Sequence, residues 1–121
     1  MQSNLNAGTS IYLQIAKLLK DNIIRDILLE EEQAPSTNEL AKAFSINPAT
    51  AAKGLNLLVD EGILYKKRGI GMFVAKGSKQ KIIQDRKDAF CETFIKKLIE
   101  EAKNLDISKQ ELIDMINNLL K

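Results

Sequence analysis

Two helix starts stand so close together that only a very short helix fits between them. Ser36-Thr37-Asn38-Glu39 is a capping box: the serine can accept from the backbone three residues on, and the glutamate there can reach back. Asn47-Pro48 follows soon after. Asparagine is a good N-cap, and proline suits the first helical position, where no N–H is needed. The chain must therefore make a short helix carrying Leu40, Ala41 and Phe44 on its apolar side, then a turn, then a second helix. That helix runs from Pro48 to about Glu61, with Gly62 at its end and Ala51, Leu55, Leu58 and Val59 as its buried face.

The flanks complete a unit. Upstream, Ile11, Ile15, Leu18, Leu19, Ile23 and Ile27 recur at helical spacing from Ser10 to about Asp26, and Leu28–Ala34 connects with three consecutive glutamates. Residues 1–9 are polar and expected to be loose. Downstream, apolar runs beginning at Ile63 and Met72 flank the basic, glycine-containing stretch Lys66-Lys67-Arg68-Gly69-Ile70-Gly71, the pattern of a β-hairpin. Helix, short helix, turn, helix and hairpin make a winged helix-turn-helix. The predicted fold is mainly α with a small β-hairpin wing: a winged helix-turn-helix domain over residues 10–76 and two C-terminal helices over residues 77–121.

That tail carries a broad apolar stripe. Phe90, Cys91, Phe94, Ile95, Leu98, Ile99, Ala102 and Leu105 recur on the first helix; after Asp106-Ile107, a second capping box at Ser108–Glu111 opens a helix bearing Ile116 and Leu119. Two helices this short cannot enclose a core alone. They must bury their stripes against the winged helix, against a second copy, or both. Phe90, Phe94, Leu98, Ile116 and Leu119 are the candidate dimerisation residues.

Catalysis is disfavoured. There is no histidine, so the commonest general base and the commonest metal ligand are both missing. One cysteine cannot build a transition-metal site, and no Gly-rich loop precedes a helix. No catalytic residue, metal or cofactor is expected. The apolar runs are too short to span a bilayer, and the N-terminus has neither basic start nor apolar core. Cys91, alone, forms no intrachain disulfide, which suits a reducing cytoplasm; it is read as inert packing.

Charge is unevenly placed. Residues 45–79 hold six basic side chains, Lys53, Lys66, Lys67, Arg68, Lys76 and Lys79, against Asp60 and Glu61. A local basic patch of this kind favours a polyanion. The helix after Asn47 also carries small residues, Ala49, Thr50, Ala51, Ala52 and Gly54, with Lys53 the one long side chain among them. Entry into a DNA major groove about 12 Å wide would account for that bareness; packing of alanines on a neighbour is the plainer account. The candidate DNA-binding residues are Ser36, Thr37 and Asn38 at the short helix, Asn47, Pro48, Ala49, Thr50 and Lys53 at the next, and Lys66, Lys67, Arg68 and Gly69 at the hairpin tip. Ser36 and Thr37 are equally explained as caps. Tyr12 and Tyr65 are expected to pack, and Glu30-Glu31-Glu32 reads as a solvated loop, with a metal or partner role as its alternative.

The residues also resemble a known family. Ser10-Ile11-Tyr12-Leu13-Gln14-Ile15, Ala34–Ala41, Asp60–Leu64 and Lys67–Ala75 resemble, in order and spacing, the signature blocks of GntR-type transcription regulators. Ile46-Asn47-Pro48-Ala49-Thr50 is most similar to the YtrA-like branch, whose members carry only a short helical tail. Asp26 and Glu31 stand where the family often has glycine, and Asn38 where many members have an arginine. The resemblance implies a sequence-specific regulator, a repressor, that binds double-stranded DNA at an inverted repeat as a homodimer. It leaves any small-molecule effector unassigned. A winged helix used for protein–protein contact, without DNA binding, is the alternative that the residues leave open.

Overall fold

The computed structural model describes residues 10–120, so the expected loose segment at residues 1–9 lies outside the described residues. Contacts divide the chain into two compact units, one through Ile83 and one from Gln84 onward.

The first unit begins with α1 (Ile11–Ile24), α2 (Thr37–Phe44) and α3 (Pro48–Asp60). The capping box forms as the sequence predicts: Ser36 Oγ accepts the Glu39 N–H at 3.1 Å, and Glu39 Oε1 accepts the Ser36 N–H at 2.8 Å. Ser45 ends α2 in the left-handed region. Asn47 Oδ1 then accepts the Ala49 N–H at 2.8 Å and opens α3, with Pro48 at its first position. Ile15, Leu19 and Ile23 from α1, Leu40 from α2, and Leu55 and Leu58 from α3 share one buried core.

The end of α1 departs from the sequence reading. The helix stops at Ile24 and Asp26 turns left-handed, with φ 60°. The Ile27 and Leu28 N–H groups both return to the Asn22 carbonyl, at 2.9 and 3.1 Å. That reversal swings Ile27 out to 60% exposure and brings Leu28 into the core in its place. Apolar spacing alone could not show it, because Ile27 keeps the helical period.

Strands β1 (Leu64–Lys67) and β2 (Gly71–Val74) form the hairpin, paired antiparallel with Leu64 opposite Val74, Tyr65 opposite Phe73, Lys66 opposite Met72 and Lys67 opposite Gly71. Alternation puts Leu64, Lys66, Met72 and Val74 on the core face and Tyr65, Lys67 and Phe73 on the other. Residues 31–34 flank β2 on its free side: the Glu31 N–H donates to the Val74 carbonyl, the Val74 N–H to that of Glu32, and the Ala34 N–H to that of Met72.

Helix α4 (Ser78–Phe90) starts inside the first unit. Ser78 is buried and its hydroxyl donates to the Ile63 carbonyl at 2.7 Å, and Ile82 joins the core. Its N-terminus is closed from far along the chain. The Glu30 carboxylate accepts the Gly77 N–H at 2.9 Å and the Lys79 N–H at 3.1 Å, and Lys79 Nζ pairs with Asp26 at 3.0 Å. Those two backbone N–H groups, before the nearby lysine charges, hold the Glu30 carboxyl below its ordinary value.

The second unit is helical. A π-helical turn, Cys91–Ile95, runs on from α4 and leads into α5 (Lys96–Asn104); Asp106 breaks the chain with φ 56°, and α6 (Lys109–Leu119) opens on the second capping box, Ser108 with Glu111. Phe90, just before the π turn, and Phe94, within it, have ring centroids 5.5 Å apart.

Candidate nucleic-acid interface

The twelve candidate residues expected to face a polyanion fall into three local groups. The first is the start of α2. Ser36 spends a lone pair on the Glu39 N–H, which leaves its O–H free to donate outward. Thr37 is half-buried and Asn38 is exposed. Pro35–Asn38 line one groove together with Gly71 and Met72, so the structure brings this helix end beside the wing.

The second group is the start of α3. Asn47 gives its Oδ1 to the cap and keeps its amide N–H groups as donors. Pro48, Ala49 and Lys53 are exposed, and Thr50 is half-buried. The small residues divide between two jobs. Ala51 is fully buried and Gly54 is buried, so they face the core rather than solvent. A Cβ on Gly54 would lie 2.9 Å from the Tyr12 carbonyl oxygen and 3.1 Å from Ile15 Cγ2. Glycine stands there because α1 crosses α3 at that point. Only Ala49 and, in part, Ala52 account for the bare outer face.

Tyr12 is a correction to the sequence reading. It does not pack in the core but stays partly exposed at the first turn of α1, with Lys53 Nζ 4.1 Å from its ring centroid. That is within cation–π range.

The third group is the wing tip, and its lysines point to opposite faces. Lys67 Nζ lies 4.2 Å from the Phe73 centroid and 6.0 Å from that of Tyr65, on the outer face; Lys66 shares the inner face with Met72. Tyr65 and Phe73 stack with centroids 6.0 Å apart. The Tyr65 hydroxyl donates to Glu31 Oε2 at 3.4 Å, and burial followed by the Glu31 charge pushes the phenol up from its ordinary value. Arg68 and Gly69 make the turn, where Gly69 has φ 78° and the Ile70 N–H closes on the Lys67 carbonyl at 2.9 Å. Gln33 Nε2 donates to the Ile70 carbonyl at 3.1 Å and so ties the tip to the loop after α1.

The first group is uncharged, whereas the second and third carry the positive charge. Among the described residues, Lys53, Lys66, Lys67 and Arg68 make no ion pair with a carboxylate. No carboxylate among the described residues neutralises their charge. The glutamate run is engaged instead: Glu30 caps α4, Glu31 takes the Tyr65 hydroxyl, and Glu32 Oε1 accepts the Leu29 N–H at 2.8 Å. All three glutamates are exposed, in keeping with the solvated loop expected, and each carboxylate also accepts a hydrogen bond. No group of three or more metal-ligating side chains occurs among the described residues, nor any helix long and apolar enough to cross a membrane.

In the tail, Phe90, Phe94, Leu98, Ile116 and Leu119 are all exposed. Cys91 is exposed too, not packed as expected; most of the stripe on which it lies is exposed, Ile95 being half-buried and Ala102 buried. Two features of the candidate surface escaped the sequence: the Tyr12 ring under Lys53 and the Phe73 ring under Lys67. Tyr12 lies far from Lys53 in the chain, and Phe73, though only across the hairpin from Lys67, reads first as a packing residue, as any aromatic in a helix or strand does.

Comparison with known proteins agrees with this architecture. The repressor YtrA of Bacillus subtilis (strain 168) is 27% identical over 98% of this chain and 91% of its own length. The crystal structure of a GntR-family transcriptional regulator from Bacteroides thetaiotaomicron is 34% identical, with a TM-score of 0.78 over 91% of this chain and 96% of that one. The DNA-binding domain of AraR, solved in complex with operator ORX1, is 30% identical, with a TM-score of 0.53 over 62% of this chain and 92% of that one. The family model of bacterial regulatory proteins, gntR family, matches residues 11–74, the span of α1, α2, α3 and both strands, and the chain belongs to that family.

Proposed function

We propose that this chain is a sequence-specific DNA-binding transcription regulator, a repressor, that acts in the cytoplasm as a homodimer on an inverted-repeat operator. The observation that carries the reading is the positive charge of Lys53, Lys66, Lys67 and Arg68 on a helix-turn-helix and its wing, paired with no carboxylate among the described residues. The solved complex of the AraR domain with operator DNA supports it by analogy.

Residues 10–76 bind the DNA. Helix α3 enters the major groove by its N-terminal end, where Asn47, Thr50 and Lys53 face base edges and Pro48 and Ala49 keep the backbone close. Ser36, Thr37 and Asn38 donate to the sugar–phosphate backbone. The wing lays Lys66, Lys67 and Arg68 against phosphates, with Gly69 making the turn. Phosphate contacts set affinity and register, and base contacts set sequence. Residues 77–121 join two copies. Phe90, Phe94, Leu98, Ile116 and Leu119 are large apolar side chains left exposed among the described residues, and a two-fold pairing would bury them. Such a dimer presents two α3 helices to half-sites one helical turn of DNA apart, or a multiple of it.

Titration with a random-sequence duplex at several salt concentrations tests the reading. Binding should weaken steeply with salt, and Lys66→Ala and Arg68→Ala should each lower the slope by roughly one unit while weakening all sequences alike. A chain that binds no duplex at low salt would be the protein-contact alternative.

A further inference from the structure

We infer that Tyr12 is a positioning residue: its ring seats the Lys53 ammonium so that Lys53 reads a guanine edge instead of wandering among phosphates. The inference rests on the proposed DNA-binding role of α3.

Lysine is a point charge on four rotatable bonds, and such a side chain near DNA finds a phosphate more easily than a base. Lys53 is held differently. Its Nζ lies 4.1 Å from the Tyr12 ring centroid and makes no ion pair with a carboxylate among the described residues, although Asp60 lines the same groove. The seat exists because of Gly54. With no Cβ there, the first turn of α1 crosses α3 at contact distance, and the Tyr12 ring arrives beside the next residue back, Lys53. Ala49 and Ala52 line the same groove and are too small to cover ring or ammonium. One face of the ammonium is therefore fixed by the ring and the other is left open. A lysine with a fixed origin can select the paired O6 and N7 acceptors of guanine, which the other bases do not offer. An exposed seat of this kind is worth about two- to fivefold in binding.

The test uses the full chain and a random-sequence duplex pool, with Tyr12→Phe, Tyr12→Leu and Lys53→Met. Selection gives the preferred sequence of each variant, and NMR of the free protein gives the ring-current shift of the Lys53 ε-methylene protons. Wild type and Tyr12→Phe should share a ring-shifted Lys53 and one strongly preferred guanine per half-site. Tyr12→Leu should lose the shift, flatten the preference at that position only, and weaken the selected site about two- to fivefold with an unchanged salt slope. Lys53→Met, at an exposed position that does not threaten folding, should flatten the same position. If Tyr12→Phe behaves like Tyr12→Leu, the hydroxyl acts on its own and the seat is not the cause. If Lys53→Met leaves the preference intact, Lys53 reads no base; either result overturns the inference while DNA binding stands. A wild-type chain that binds no duplex overturns the function and this inference together.

Discussion

Replacing Gly54 with alanine sets two effects against each other, and the structure decides the sign. Gly54 lies inside α3, so alanine should gain about 0.8–1 kcal/mol from helix propensity alone. The added Cβ, however, would sit 2.9 Å from the Tyr12 carbonyl oxygen, with Ile15 Cγ2 at 3.1 Å and Ile15 Cβ at 3.2 Å. An ordinary carbon–oxygen contact is about 3.3–3.6 Å, so α1 and α3 must part by roughly half an ångström. The obstacle is backbone, and Ile15 is β-branched, fully buried and stiff at χ1. Neither can swing aside. Overpacking of this kind costs about 1–3 kcal/mol, which exceeds the propensity gain. The expected net is a loss of about 1 kcal/mol, or roughly 4–8 °C in Tm for a unit of this size.

Thermal unfolding followed by circular dichroism, at one protein concentration because association would shift Tm, measures it. A control at exposed Asn56, Asn56→Ala, should hold or raise Tm, since nothing opposes the better helix former there. If Gly54→Ala raised Tm as well, the two helices would have room to spare. Glycine would then be there for some reason other than the crossing, and the seat of Tyr12 under Lys53 would lose its structural cause.

Three further outcomes follow from other parts of the chain. Glu31 sits at φ 69°, so Glu31→Gly should stabilise by about 0.5–1 kcal/mol in denaturant unfolding, the left-handed strain outweighing the entropy cost and a weak 3.4 Å contact to Tyr65. Glu30 has its carboxyl lowered in the fold, so its stabilising effect is complete above the ordinary value of 4.5 and is lost as pH falls from there through the lowered value; stability of Glu30→Gln should change less across that acid window. Leu98→Asp and Phe94→Asp, each at an exposed tail position, should weaken self-association about ten- to hundredfold in sedimentation, since a buried Leu or Phe contributes about 1.5–3 kcal/mol; unchanged sedimentation would remove the tail from the interface.

Features whose cause is local were legible in the sequence. Both capping boxes formed at the serines where they were expected, because the bonds join residues three apart and need no tertiary partner. Asn47-Pro48 opened α3 for the same reason, and Gly69 marked the wing turn. The end of α1 was misplaced because two signals conflict there. Ile27 keeps the helical period, while Asp26 takes a left-handed conformation that aspartate tolerates but does not announce. Asp26 and Glu31 both hold a positive φ, the region glycine suits best, although neither is glycine. The role of Glu30 was out of reach, since its N–H partners lie at Gly77 and Lys79.

The candidate surface divides along the same line. Where the basic side chains cluster could be read directly, but which of them stay unpaired could not: Lys79, counted in the same patch, pairs with Asp26. Nor could how those charges are held. The run of small residues after Pro48 has two physical causes that one-dimensional reading merges: Ala49 is small on the outside, while Ala51 and Gly54 are small on the inside, where α1 presses against α3. Once separated, they become parts of one device. The inner glycine lets α1 approach, the approach carries Tyr12 to the edge of α3, and the small outer residues leave Lys53 and its ring uncovered. A packing requirement in the core thereby sets the position of a charge on the surface. Exchanging Ala49 for a larger residue should for that reason leave the fold intact and close the groove, whereas the same enlargement at Gly54 should act on the fold first.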